Sequence, residues 1–242
     1  MPTAEGRYFR GAKGGDSGAK SGDRHAPPRL AVSHLFVWTT CCAIFLGLAR
    51  SLADRPAGAL GALVLILVAV GYGTAWMGLV VSVYRLLRSA RWPFEPGQWL
   101  LAIEGATLAL LVAERFVRGQ VFRNPWAVID AVTACLFVLP LFGRKLPVHW
   151  KWMFGVVAAV YGWPLAVVAL DAWAGAPRNL VWLADQFSAN RKQAFAAAVA
   201  VVLALVDLRI GHRWGWLHWV GVIDAAWLAL LPMIAAWLVS LA

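Results

Sequence analysis

Apolar residues run along this chain in long blocks rather than short alternations. Seven blocks, at about residues 31–49, 58–82, 98–113, 125–142, 152–172, 193–208 and 217–240, are separated by short pieces rich in Arg, Lys, Pro and Gly. Most reach the roughly 17–25 residues that an α-helix needs to cross a bilayer. Blocks such as GALGALVLILVAVG at residues 58–71 lack the period-two alternation of an outer-membrane barrel strand. The pattern predicts an all-α fold, a polytopic transmembrane helical bundle of six or seven spans over residues 31–242. The third and sixth blocks are shorter and each carries an acid, Glu104 or Asp207. They are therefore expected either as crossings or as interfacial, re-entrant segments. Residues 1–30 hold little that can be buried and predict a disordered tail, followed by an uncleaved anchor.

Composition strengthens the membrane reading. Hydrophobic residues make up 61% of the 242 positions and charged ones only 14%, with a mean hydropathy of +0.68. A soluble domain carries roughly a quarter charged residues to dress its surface. Many of the 15 Trp stand at block edges, among them Trp99, Trp126, Trp150, Trp152, Trp173, Trp182, Trp214, Trp216 and Trp219. These are expected in interfacial belts, where an indole sits among head groups. Trp163-Pro164 falls mid-block and predicts a kink, with the Trp filling the gap. In VGYGTAWMG, small residues recur at Gly71 and Ala75 and at Thr74 and Gly78, a spacing that lets a neighbouring helix approach closely.

The formal charge of +10 raises nucleic acid as a partner, but the basic residues lie between apolar blocks, as loops near phospholipid head groups do. Nucleic acid is set aside on that ground. With seven crossings, fourteen of the 22 Lys and Arg fall on the side of the amino terminus and eight on the other. This bias predicts a cytoplasmic amino terminus. Cys41, Cys42 and Cys135 all sit inside apolar blocks, where packing suits them better than a disulfide. The tail segment GGDSGAKS lacks the Gly before Lys, and the flanking strand and helix, that a phosphate loop requires.

Acids inside apolar blocks carry the chemistry. Glu104 lies about 7 to 8 Å past Trp99, and Asp224 about 10 Å into the last block. Both belong to the inner half of the membrane in this orientation, and Asp130 to the outer side. A charged carboxylate in hydrocarbon costs several kcal/mol unless paired, protonated or hydrated, so Glu104 and Asp224 should face the bundle interior. If the two touch, repulsion favours one shared proton. Arg209, His212, Arg213 and His218 lie near the same end and are candidate polar partners. Glu104, Asp224 and Asp130 are thus candidates for a polar cavity or a transport path. Asp171, Asp207 and Glu114 are expected near water.

No catalytic residue emerges. There is no His-Glu-x-x-His zinc site, no Gly-x-Ser-x-Gly turn and no intramembrane aspartyl-protease pair, and His25, His34, His149, His212 and His218 are scattered. No metal and no cofactor is expected. The segment RLAVSHLFVWTTCCAIFLGLAR, residues 29–50, resembles the basic-then-apolar opening of uncharacterised multi-pass inner-membrane proteins of planctomycete-type bacteria. The resemblance covers 22 residues and implies a bacterial cytoplasmic (inner) membrane, with no site residue to carry over. The leading expectation is an integral membrane protein with a structural or scaffolding role. A proton-coupled small-solute or ion transporter working through the intramembrane carboxylates is the second. A membrane enzyme acting on lipid is the third. Expected partners are membrane lipids and a membrane-protein partner or a second copy of the chain.

Overall fold

A computed structural model describes residues 32–52, 58–89, 95–116, 125–143, 146–174 and 189–240. The tail, Trp182 and most of the connector between the fifth and sixth blocks lie outside the described residues, as does the side chain of Asp171. The described residues form seven α-helices: α1 (Val32–Leu52), α2 (Ala59–Ser89), α3 (Pro96–Phe116), α4 (Pro125–Val138), α5 (Val148–Ala174), α6 (Ala189–Ile210) and α7 (Trp216–Ser240). Each corresponds to one apolar block. The expectation of an all-α bundle holds.

Local chemistry sets the ends. Pro96 and Pro125 begin α3 and α4, where a missing N–H costs nothing. Pro140 cannot extend the ladder of α4, so the chain tightens into a 3₁₀ turn over Leu139–Phe142. At the end of α6, Gly211 takes φ +81°, a conformation that favours glycine. The His212 N–H then donates to the Asp207 carbonyl at 3.0 Å and the Gly211 N–H to that of Leu208 at 3.3 Å, closing the helix with a Schellman motif.

Among the described residues, five helices are long and apolar enough to cross a membrane: Ala59–Arg88, Pro96–Glu114, Val148–Leu170, Asn190–Ile210 and Trp216–Leu238. The third and sixth blocks, expected to be the doubtful ones, are among them. The shorter apolar helices are instead Val32–Leu48 and Trp126–Phe142. Large apolar side chains stand exposed on the outside, including Phe36, Leu87, Phe142 and Met233. Water would penalise such a surface, whereas lipid does not.

Packing is antiparallel between chain neighbours, and α3 runs parallel to α7 at the centre. Gly97 lies against His218 and Gly221, and further along Leu108 clusters with Leu228 and Leu231. The α3–α7 crossing is so close that a Cβ on Gly221 would lie 1.9 Å from the Gly97 carbonyl oxygen. The small residues of α2 act likewise. Gly71 faces Trp227 and Leu228, Gly73 faces Cys42, and Gly78 faces Leu101.

The aromatic belt needs correction. Trp99 and Trp150 are buried in the main core with Phe154, Val157 and Ala200, while Trp126, Trp152 and Trp173 are exposed. Trp163 is partly exposed, and Pro164 lies inside α5.

Candidate functional site

Two polar centres stand at different levels of the bundle. The first gathers the starts of α3, α5 and α7 with the end of α6. Asp207 is 0% exposed there. Its Oδ2 accepts hydrogen bonds from the indole N–H groups of Trp150 at 2.6 Å and Trp214 at 2.7 Å. Its Oδ1 lies 2.9 Å from His149 Nε2 and 3.7 Å from His212 Nδ1. Trp214 stacks with the rings of His212 and His218, and Trp150 meets His218 edge to face. The Gly97 N–H donates to His218 Nδ1 at 3.1 Å, and the Gly215 N–H to Glu95 Oε1 at 2.8 Å. This hub ties the loop before α7 to the start of α3.

Asp207 was expected near water and is instead fully buried. Its carboxylate is tolerated because donors surround it: an indole N–H can only donate, and two of them aim at one oxygen. Of the candidate polar partners, His212 and His218 both belong to this hub. Arg209 and Arg213 are exposed. The two histidines thus stand in a site built on Asp207.

The second centre lies deeper. Glu104 lines an internal cavity of about 120 Å³ between α3, α4, α5, α6 and α7, together with Thr107, Asp130, Thr133, Tyr161 and Gln193. Thr107 and Thr133 share a hydrogen bond of 3.1 Å. Asp130 accepts from Lys192 at 2.5 Å, and the ammonium also stands 5.5 Å from the Tyr161 ring centre. Lys192 is only 3% exposed. The polar row thus runs from Glu104 toward the starts of α4 and α6, where Trp126, an exposed residue, closes the wall.

Glu104 Oε2 is buried with no hydrogen-bond partner among the described residues, and Asp224 Oδ2 is in the same condition. The two carboxylates are near enough to act on each other electrostatically. They do not share a chamber. Asp224 faces a groove on the other side of α7, lined also by His34, Trp38 and Thr74. Asp130, the third candidate, joins the Glu104 cavity.

Lys192 escaped the sequence reading, which counted it as a loop cation. A signal was present. Asp130 and Lys192 each stand a few residues inside the start of α4 and α6, two helices that run in the same direction, so opposite charges share one level. Thr107, Thr133, Tyr161 and Gln193 carried no such mark. No protein-family model, curated protein or solved structure matches this chain.

Proposed function

We propose that this chain is a multi-pass membrane protein that takes a small cation or cationic solute into the Glu104 cavity, with proton exchange at Glu104 as the coupled step. One observation carries the reading. Asp130 already has its counter-ion in Lys192, whereas Glu104 faces the same cavity with an oxygen lacking any hydrogen-bond donor among the described residues. A carboxylate so placed must hold a proton or a cation. Exchanging one for the other is the elementary act of proton-coupled transport. The volume of about 120 Å³ limits the cargo to an ion or a very small solute. The bias of basic residues and the first-helix resemblance favour a bacterial cytoplasmic membrane with the amino terminus inside.

The test uses the full-length protein in liposomes with an internal pH dye, challenged with potassium, sodium and guanidinium, with gluconate as the anionic control. The wild type should move protons against at least one cation and not against gluconate. Glu104→Gln keeps size and much hydrogen bonding, so it should remain folded and lose the flux. Cation-driven proton flux that persists undiminished in folded Glu104→Gln refutes the role of this carboxylate. A scaffolding role is the second reading, favoured by the Asp207 hub, where the buried carboxylate is spent on Trp150, Trp214 and His149. It predicts no flux in either protein.

A further inference from the structure

Helix α7 divides two chambers. Ala225 and Leu228 face the internal cavity with Glu104, whereas Ile223, Asp224 and Trp227 face a groove of about 560 Å³ walled by α1 and α2. The groove opens on the outside of the bundle, since Leu35, Val70 and Ile223 on its walls are exposed. In a membrane that outside is lipid. Asp224 sits in this apolar setting at 4% exposure, with Oδ2 lacking a hydrogen-bond partner among the described residues. Thr74, the nearby hydroxyl, is already committed. It donates to the Val70 carbonyl at 2.7 Å and accepts from Trp38 Nε1 at 2.9 Å.

We propose that this groove is a binding site for lipophilic amines, molecules carrying an ammonium group on an apolar chain or ring, which enter sideways from the bilayer. Three features select that chemistry. The buried carboxylate is a counter-ion for an ammonium, and a charge-assisted hydrogen bond supplies the donor it lacks. Trp38, Trp216 and Trp227 line the same groove, and indole faces attract cations. Apart from His34, the remaining walls, with Leu35, Leu67 and Val70 among them, suit an apolar body. A neutral alcohol can donate a hydrogen bond but brings no charge, and an anionic amphiphile would set like charges together.

Photo-crosslinking of the full-length protein in nanodiscs tests this. The probes are a diazirine-bearing dodecylamine and the alcohol and carboxylic acid of equal chain length. The amine should label α1 and α7 roughly tenfold more than the alcohol, the discrimination expected of one charge-assisted contact. Unlabelled dodecylamine should compete the signal away. Asp224→Asn should bring amine labelling down to the alcohol level, and Val70→Trp, which fills the groove from α2, should remove labelling of both helices. Glu104→Gln should leave labelling at or above the wild-type level, because it removes a neighbouring carboxylate and no groove contact, which separates failure of the groove from failure of the cavity. Equal labelling by amine and alcohol overturns the proposal, as does full amine labelling in folded Asp224→Asn. Should that variant not fold, Val70→Trp decides: undiminished labelling of α1 and α7 overturns it.

Discussion

Replacing Asp207 with Leu removes the acceptor on which Trp150, Trp214 and His149 converge. Trp150 is 0% exposed, so its indole N–H would be left without a partner and beyond reach of water. That alone costs about 1–3 kcal/mol. Trp214 is half-buried and the His149 side chain is 32% exposed, so each can recover water and forfeits only a net bond of about 0.5–1.5 kcal/mol. The sum is about 2–6 kcal/mol, of the same order as breaking a buried charge pair. Asp207→Asn is the milder change. Its amide oxygen can still accept both indoles, and its NH2 meets a His149 nitrogen able to accept, so the loss is the charge assistance, about 1–2 kcal/mol. Thermal unfolding in detergent reads the order wild type, Asn, Leu, with Tm falling roughly 2–4 °C per kcal/mol for a chain of this size. A double-mutant cycle isolates the bond. Trp150→Phe should destabilise the wild type by about 1.5–3 kcal/mol and cost far less in the Asp207→Leu background. Equal cost in both backgrounds, or an Asp207→Leu protein as stable as the wild type, refutes the hub as a source of stability.

Two further outcomes follow from the packing and the topology. Gly221→Ala places a methyl 1.9 Å from the Gly97 carbonyl oxygen, so α3 and α7 must separate; overpacking of this kind costs about 1–3 kcal/mol, and a melting temperature at or above wild type would contradict the crossing. Reporter fusions at positions 90, 147 and the carboxyl terminus should place 90 and 147 in the cytoplasm and the carboxyl terminus outside; the inverse pattern reverses the orientation and any mixed pattern removes a crossing.

Sequence by itself determined the seven helices, their approximate limits and their apolar surroundings. These depend on local matters: the length of an apolar run, a proline that cannot donate, a glycine that can take positive φ. It also marked Glu104, Asp224 and Asp130 as costly charges, because any carboxylate in hydrocarbon needs relief whatever its neighbours are. The tertiary structure decided which way each side chain faces. In a soluble helix the polar face announces the outside, but here lipid and core are both apolar, and the period of hydrophobic residues carries no direction. For that reason Trp99 and Trp150 read as belt residues and prove to be core, and Asp207 reads as interfacial and proves fully buried. The same blindness hid the pairing of Asp130 with Lys192, 62 residues apart, and the separation of Glu104 and Asp224 onto opposite sides of α7. Charge at a given depth is a property of one helix. The partner that makes it tolerable belongs to another, and only packing brings the two together.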